Sequence, residues 1–316
     1  MKEGKRSYNF LSYIIKRLLT IILVLFLISI AVFIMLSNAP GDPAVLMLGV
    51  TATMEQVEQL RDELGLNNPL YVQYWDFAKN FILNGSLGNS YRTGRPVIHE
   101  IAKALPISLS LSIVAIIIST VVAVFLGVLS AVKQYSLIDN LTKVIVLAGV
   151  SMPIFWLGLV LIVIFAVYLG ILPSSGWGGS WKYVVLPAMT LATNPLAIIC
   201  RLTRSTMLEV IRQDYITTCR AKGLPERLVI FRHALRNTSI PVFTLISLRL
   251  GGILTAAVLT ETIFAIPGLG RLTITAVYAR DYAMIRGSIL TIALIFAIIN
   301  LIVDLTYPLL DPRTKG

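Results

Sequence analysis

The stretch DYITTCRAKGLPERLVIFRHALRNTSIP, residues 214–241, is a basic, amphipathic insert between long apolar segments. From Arg201 to Asn237 the chain carries eight lysines and arginines but only three acidic residues. A membrane protein that concentrates Lys and Arg in one short loop marks its cytoplasmic side with that loop. Because this loop also carries helix signals, we expect it to offer a docking surface to a soluble partner.

Glycine and proline divide this insert into two predicted helices. The first covers residues 213–222, and Gly223 stands where a C′ glycine with positive φ ends a helix. Pro225 suits the first turn of the second helix. We expect the apolar face of that helix to consist of Leu228, Phe231, Ala234 and Leu235. A basic helix lying on anionic lipid is the alternative, but the bend at Gly223 argues against it.

The composition identifies lipid as the solvent of most of the chain. Of 316 residues, 56% are hydrophobic and 14% are charged, whereas soluble domains average about 25% charged. The predicted fold class is therefore an all-α integral membrane protein. A bilayer-spanning helix needs about 20 apolar residues. Six transmembrane helices are predicted, at residues 18–36, 104–132, 144–172, 183–200, 238–260 and 289–303.

Lysine and arginine residues set the predicted orientation. Seventeen lie in segment 1–17, in the loops after the second and fourth spans, and in the tail 311–316. Nine lie in the opposite loops, spread over far more residues. Both termini are therefore predicted to be cytoplasmic. Residues 104–310 are predicted to form the transmembrane core, which consists of spans two to six and contains the cytoplasmic loop 201–237.

The first outer loop, residues 37–103, is predicted to fold into an external cap. Residues 54–64 form a helix with Thr53 as N-cap, stopped by Gly65. Residues 69–83 form a second helix. The apolar stripe of this second helix consists of Leu70, Tyr74, Phe77 and Phe81. A solvated connector is the alternative, but an aromatic stripe favours packing.

Several functions are excluded by what the sequence lacks. The net charge of +11 sits in short loops beside apolar spans and not on a charged domain face, so nucleic acid is not an expected partner. No phosphate-binding loop of the G-x-x-x-x-G-K-[ST] type occurs, so any ATP must bind to another chain. The two histidines and two cysteines do not form a metal site.

Two charges fall within or beside the fifth span. Arg249 lies near its centre, where an arginine costs about 2.5–3.5 kcal/mol to insert. It is a candidate for lining a translocation pathway and attracting a carboxylate, or else for a structural pair with a backbone carbonyl or a partner subunit's acid. Glu261, at the outer end, is a candidate for the same pathway or for an interfacial helix-end charge.

The order and spacing of short motifs resemble those of permeases in binding-protein-dependent ABC importers. The resemblance is to the dipeptide, oligopeptide and nickel subfamily, and to its subunit type with a long first outer loop. Residues 214–241 look like the EAA loop of these permeases, with Gly223 as its glycine and Ile240-Pro241 as its ending. The other matching segments include Pro40-Gly41-Asp42-Pro43, Gly85-Ser86-Leu87-Gly88, Gly149-Val150-Ser151-Met152-Pro153, Pro267-Gly268-Leu269-Gly270 and Arg280-Asp281-Tyr282.

The resemblance implies a type I ABC importer permease fold with no enzymatic activity of its own. It assigns ATPase coupling to Asp214, Tyr215, Thr218, Cys219, Ala221, Lys222, Gly223, Leu224, His233, Arg236 and Asn237. One departure is that the EAA triplet falls on Thr217, Thr218 and Cys219. The partner surface is therefore expected to accept a thiol at Cys219.

The resemblance also implies the partners and the mechanism. A second homologous permease, two ABC ATPase subunits and an external substrate-binding protein would complete the complex in the inner membrane of a prokaryote. ATP and Mg would bind to the ATPases, so this chain would bind no cofactor directly. The expected role is di- or oligopeptide uptake by alternating access, with a nickel or other metal chelate as the alternative substrate. An ion-coupled secondary transporter, which belongs to a different class of transport protein, is the alternative to an ABC importer permease.

Overall fold

The computed structural model describes residues 2–39, 41–49 and 52–310, and within these the side chains of residues 12, 14–39, 41–49 and 52–306. The helices before the second half of the chain are α1 (Lys2–Ser37), α2 (Pro43–Leu48), α3 (Met54–Glu63), α4 (Leu70–Asn84), α5 (Val97–Val132), α6 (Leu137–Ser151) and α7 (Ile154–Leu161). A π-helical turn at Ile162–Tyr168 continues α7.

The second half is also helical. It contains α8 (Lys182–Ile211), α9 (Asp214–Ala221), α10 (Glu226–Leu228), a π-helical segment Val229–Ala234, α11 (Leu235–Ile263), α12 (Leu269–Tyr278) and α13 (Tyr282–Leu310). In the described part of the chain, five helices are long and apolar enough to cross a membrane, and a bent pair makes a sixth if it counts as one span. The predicted all-α membrane fold is confirmed.

The third span differs from the prediction of one helix over residues 144–172. The chain forms α6 and α7 instead, and these two helices are bent by 113°. A proline disfavours the helical conformation of the residue before it. Met152, which precedes Pro153, is accordingly extended, with φ −82° and ψ 129°. The helix therefore ends at Ser151 and restarts after Pro153.

The chain divides into two compact units, of which the first comprises Met1–Pro106 and Gly268–Leu301. Its buried core joins the start of α5, α12 and the start of α13, with Val97 and Leu269 among the most buried side chains. Asp281 holds the segment before α5 in place. Its carboxylate accepts hydrogen bonds from the Ser90 hydroxyl and from the backbone N–H groups of Tyr91 and Met284.

The helices predicted in the first outer loop are present in this unit. Thr53 caps α3 in a reciprocal capping box with Gln56, which satisfies two of the free N–H groups at a helix start. Gly65 follows with φ 67°. On α4, the Tyr74 ring lies 5.4 Å from the Phe33 ring of α1, centroid to centroid. Of the predicted stripe, Tyr74 therefore packs against the first span, whereas Leu70 and Phe81 are 49% and 45% exposed.

The second unit comprises Ile107–Pro267 and Ile302–Gly316. Its main hydrophobic cluster lies where α8 meets α5, α7 and α11, and it includes Leu111, Leu186, Leu191 and Ile253. A second cluster packs α9 and the π-helical segment Val229–Ala234 against the ends of α5 and α8. This cluster positions the loop between the fourth and fifth spans.

Candidate coupling surface and cavity

The helix α9 is ended by the glycine on which the sequence interpretation depends. Gly223 has φ 77°, in the left-handed region that glycine adopts without strain. Its N–H donates to the Arg220 carbonyl at 2.9 Å, and the Leu224 N–H donates to the Cys219 carbonyl at 3.3 Å. These two bonds are the Schellman motif. The predicted C′ position of Gly223 is confirmed.

One face of α9 is anchored to the second unit. Ile216 is fully buried in a cluster with Val128, Met207 and Val229. Burying an isoleucine side chain stabilises a fold by about 1.5–3 kcal/mol, so this residue fixes the helix to the ends of α5 and α8. Cys219 lies one turn after Ile216, is half-buried and packs against the same cluster. Its thiol is therefore turned partly away from the free face.

Two polar contacts join α9 to the chain that follows it. The Asn237 side-chain amide donates to the Tyr215 hydroxyl at 2.6 Å. The Arg220 guanidinium donates to both carboxylate oxygens of Glu226, at 2.7 and 3.1 Å, and this hydrogen bonding raises the pKa of Arg220. Both contacts join a residue before the bend at Gly223 to a residue after it, and they therefore hold the two arms of the bend together. The opposite face of α9 is exposed, at Asp214, Thr217, Thr218, Ala221 and Lys222.

The second helix of the loop differs from the prediction. The segment from Glu226 continues without a break through the π-helical turns into α11, forming one stretch, Glu226–Ile263. Its buried residues are Val229, Ile230 and Ala234, whereas Phe231 is 59% exposed. The predicted apolar face was therefore wrong at Phe231. A π-helix closes its hydrogen bonds from i to i+5, so side chains here depart from the 3.6-residue period.

A buried ionic cluster at the start of α6 was missed by sequence reasoning. The Asp139 side chain is 0% exposed and accepts from Arg204 Nε at 2.7 Å and Arg204 Nη2 at 3.0 Å. Lys143 Nζ lies 2.8 Å from the same carboxylate, and the Ser130 hydroxyl also donates to it. The pair of Asp139 and Lys143 at i and i+4 was the only local signal.

A cavity of about 310 Å³ lies beside Arg249. Its lining comes from the bend between α6 and α7 at Met152 and Ile154, from α8 at Thr193 and Asn194, and from α11 at Arg249. The Arg249 side chain is exposed. Among the described residues, none forms a hydrogen bond or an ion pair with it. From the sequence, two roles were open for Arg249, in a pathway or in a structural pair. A structural pair with a described residue of this chain is not observed.

Glu261, the second candidate for the pathway, does not line this cavity. It is 0% exposed and accepts a hydrogen bond from the Ser108 hydroxyl at 2.5 Å. An interfacial charge at a helix end would be accessible to water, so that interpretation of Glu261 was wrong. The residue is instead part of the contact between α5 and α11. His233 is half-buried and Arg236 is exposed, and both lie within four positions of Asn237 along the chain.

Comparison with known proteins identifies the class. The family described as the inner membrane component of binding-protein-dependent transport systems matches residues 123–316, and its N-terminal counterpart matches residues 10–112. The chain belongs to this family. It is therefore a multi-pass inner membrane permease with a translocation role, and ATP hydrolysis takes place on partner subunits. Family membership implies an ATPase and a substrate-binding protein as partners, and it excludes the ion-coupled secondary transporter.

The similar proteins include permeases named for dipeptide, glutathione and di/tripeptide transport. A dipeptide transport system permease protein of Alkalihalophilus pseudofirmus is 42% identical over 96% of this chain and 99% of its own length. A glutathione transport system permease protein of Escherichia coli K12 is 40% identical, with the same two shares. A di/tripeptide transport system permease protein of Pseudomonas aeruginosa is also 40% identical, over 96% of this chain and 99% of its own length. The nickel alternative has no specific support from these relatives.

Solved structures confirm the fold. The MetNI methionine ABC transporter in inward-facing conformations matches with a TM-score of 0.56 and 18% identity, over 68% of this chain and 97% of that chain. An amino acid ABC transporter crystallised with histidines matches with a TM-score of 0.51 and 16% identity, over 68% and 94%. The predicted type I ABC importer permease fold is confirmed.

Proposed function

We propose that this chain is one of two permease subunits of an importer that takes up di- and oligopeptides by ATP-driven alternating access. The observation that carries this proposal is a sequence identity of 40% or more, over almost the whole chain, to permeases named for dipeptide and glutathione transport. Two ABC ATPases, which hold ATP and Mg, and an external substrate-binding protein complete the complex. This chain itself binds no cofactor, its termini are cytoplasmic, and residues 37–103 are external.

In this proposal the exposed face of α9 docks on an ATPase subunit. The face is suited to that role because its side chains are exposed while Ile216 anchors the opposite side. The contacts of Tyr215 with Asn237 and of Arg220 with Glu226 tie α9 to the helix that continues to Arg249. A displacement of α9 is thereby passed into the membrane-spanning helices. ATP binding pushes the docked loops, and the spans open toward the outside.

The cavity beside Arg249 is proposed as part of the substrate pathway. A peptide with a free C-terminus carries a carboxylate, and Arg is the side chain best suited to hold a carboxylate through two N–H groups. Asn194 and Thr193 supply further polar atoms in the same lining. A volume of about 310 Å³ is at the lower end of small-molecule sites, which fits the terminal part of a short peptide.

Uptake by reconstituted complexes tests the substrate assignment. Wild type is expected to transport a free-acid dipeptide in an ATP-dependent manner, and Arg249→Gln is expected to slow the free acid more than its C-terminal amide. Arg201→Gln is the matched control, because Arg201 is exposed on α8 and does not line the cavity. Equal losses for acid and amide would remove Arg249 from the pathway. No peptide uptake by wild type would contradict the proposed function.

Site-specific crosslinking tests the docking of α9. The exposed Thr218 is replaced by cysteine in a Cys219→Ala background and paired with cysteines on the ATPase surface. Crosslinks are expected at Thr218→Cys. Lys133→Cys, in the exposed loop between α5 and α6, serves as the control. Crosslinks from the control alone would refute the docking assignment.

A substitution at Gly223 tests coupling. Gly223→Val forces a β-branched side chain into the left-handed region, at a cost of about 1–2 kcal/mol. No atom lies within 4 Å of the added Cβ, so the effect is conformational and not a clash. We expect membrane insertion to persist while ATP hydrolysis is uncoupled from uptake. Gly85→Val, at a helix end with φ 61°, carries the same strain and should leave coupling intact. Normal uptake by Gly223→Val would contradict the assignment.

A further inference from the structure

A cavity in the first unit is lined by an arginine, Arg286, that forms no ion pair with any acid among the described residues. The cavity has a volume of about 360 Å³. Its polar lining includes Arg286, Tyr91 and Tyr282, and its apolar lining includes Phe33, Leu36 and Leu70. Among the residues that the structure describes, none accepts a hydrogen bond from Arg286 or forms an ion pair with it. Its Nε is buried and without a hydrogen-bond partner.

The surroundings of Arg286 hold the side chain in place without compensating its charge. The guanidinium carbon lies 3.9 Å from the centroid of the Phe77 ring and 5.8 Å from that of Phe33. Stacking on an aromatic face stabilises a cation only in part, whereas a buried unpaired charge is strongly disfavoured. Among the described residues that line the cavity, the one acid is Asp42, which is already paired with Arg61 at 2.5 Å. Arg286 is therefore the one cation of this lining that no lining acid pairs.

The phenol of Tyr91 provides a second donor in the same cavity. Burial raises its pKa, the nearby Arg286 cation opposes that rise, and the carboxylate of Asp281 adds to it. The hydroxyl therefore keeps its proton at neutral pH and can donate a hydrogen bond. The Tyr282 hydroxyl lies 3.4 and 3.3 Å from the carbonyls of Ala39 and Gly41, distances at which its hydrogen bonds are weak. A planar cation with adjacent O–H donors is the arrangement that recognises an oxyanion.

The position of the cavity along the helices indicates where that oxyanion comes from. Phe33 and Leu36 lie in the last five residues of the candidate membrane span Ile14–Ser37, and Tyr282 and Arg286 lie in the first five residues of the span Tyr282–Thr306. The ends of spans are at the depth of lipid headgroups. Ile34 and Met35, beside Phe33 on α1, are 52% and 73% exposed. An amphiphile could thus place its charge at Arg286 and its acyl chains along α1.

We propose that this cavity binds the phosphate group of an anionic phospholipid, through the Arg286 guanidinium and the Tyr91 hydroxyl. The lipid would neutralise Arg286 and fill the space between α1, α4 and the start of α13. An anionic lipid is favoured over a zwitterionic one because the cavity contributes one uncompensated positive charge. A free phosphate or carboxylate could meet the same donors, but it would leave the apolar lining of Phe33, Leu36 and Leu70 without a partner.

Native mass spectrometry of the delipidated full complex tests this site. Phosphatidylglycerol and phosphatidylcholine with identical acyl chains are added in equal amounts. Wild type is expected to retain phosphatidylglycerol about fivefold better, the ratio that one basic residue near a headgroup provides. Arg286→Met, which keeps an apolar side chain on Phe77, is expected to lose that preference. Arg92→Gln, an exposed arginine next to Tyr91, should retain it.

A second variant and a soluble probe make the result decisive. Tyr91→Phe removes one hydroxyl and should lower retention of phosphatidylglycerol about threefold, even if Arg286→Met does not assemble. Unchanged retention in both variants would overturn the site. Inorganic phosphate is added alone in a parallel sample, and we expect it to displace no phosphatidylglycerol and to leave thermal stability unchanged. Stabilisation by phosphate without any lipid preference would identify a soluble anion as the ligand and overturn the lipid assignment.

Discussion

Two half-buried arginines in different units of the chain have opposite surroundings. In the second unit, Arg204 donates to both oxygens of Asp139, and Lys143, the Ser130 hydroxyl and the backbone N–H of Tyr135 also donate to that carboxylate. In the first unit, Arg286 stacks on Phe77 and has an unpartnered Nε. Both residues are cations, but among the residues that the structure describes only Arg204 has an acid as its partner.

The comparison indicates that Arg204 stabilises the fold, whereas Arg286 is available to bind a ligand. A fully paired ion cluster has no bonding capacity left for another molecule, and breaking it leaves a buried charge uncompensated. An arginine without an acid contributes little to the fold, so its removal costs little. The stability of variants should therefore rank these sites by how completely each charge is paired.

The largest effect is expected at Asp139. Asp139→Ala leaves the half-buried Arg204 cation without its acid, which costs about 3 kcal/mol, the lower end of the range for a fully buried pair. Thermal or denaturant unfolding of the purified chain in detergent measures the loss. Glu209→Gln on the same helix as Arg204 is the control, because Glu209 is exposed. Equal stability of the two variants would show that the cluster does not hold α6 to α8.

A double substitution distinguishes a stabilising cluster from one that is only costly to break. Asp139→Leu combined with Arg204→Met replaces both charges by apolar groups, which is often neutral for a buried pair. We expect the double variant to recover at least half of the stability lost in Asp139→Ala. A double variant as unstable as the single one would indicate that Lys143 and Ser130 need the carboxylate as much as Arg204 does.

An intermediate effect is expected at Asp281, a buried acid held by neutral donors. Asp281→Asn keeps the size of the side chain but puts an NH₂ group toward the donors of Ser90 and Tyr91. The loss of hydrogen bonds to a charged acceptor is expected to cost about 1.5–3 kcal/mol in the free energy of unfolding. Limited proteolysis near Ser90 should increase in parallel. The exposed Asp76→Asn on α4 should change neither measurement.

A smaller effect is expected at Arg286 when lipid is absent. Arg286→Met gives up a cation–π contact of about 0.5–1 kcal/mol and relieves the burial of an unpaired charge. Unfolding of the delipidated complex should therefore change by less than about 1 kcal/mol. A loss as large as that at Asp139 would break the comparison, since it would mean that Arg286 is as essential to the fold as the paired cluster.

The smallest effect on stability is expected at the exposed pair of Arg220 and Glu226, whose side chains are 40% and 54% exposed. Arg220→Gln should lower the free energy of unfolding by about 0.2–1 kcal/mol, as for other solvent-exposed pairs. High salt should abolish the difference from wild type. Persistence of the difference in high salt would point to packing by the arginine stem instead of charge.

The sequence predicted features that depend on near neighbours. Apolar runs indicated the spans, Thr53 indicated the start of α3, and the spacing of Gly223 and Pro225 indicated the end of α9. The pairing of Asp139 with Arg204 joins residues that are 65 positions apart, and no local pattern specifies such a contact. The bend at Pro153 had a local signal, but the apolar run on both sides of it dominated the prediction of one span.

The π-helical segment shows a different limit of sequence reasoning. The predicted apolar face assumed 3.6 residues per turn, and Phe231 was misplaced because the turns at Val229–Ala234 are wider. Arg249 and Glu261 were recognised as unusual charges, but their surroundings depend on the packing of α5, α7 and α8. Charge within a span can be read from sequence, whereas its exposure to a cavity requires the fold.

The uninterrupted helical stretch Glu226–Ile263 has a mechanical consequence. Arg249 lies 23 residues beyond Glu226, which is roughly 35 Å along the axis at 1.5 Å per residue. If the stretch moves as a rigid rod about its Glu226 end, a tilt of about 5° displaces Arg249 by roughly 3 Å. The π-helical segment Val229–Ala234 and Pro241 both lie between the two, and helices bend at such turns and at prolines. The chain thus contains a lever whose stiffness is set at these two places.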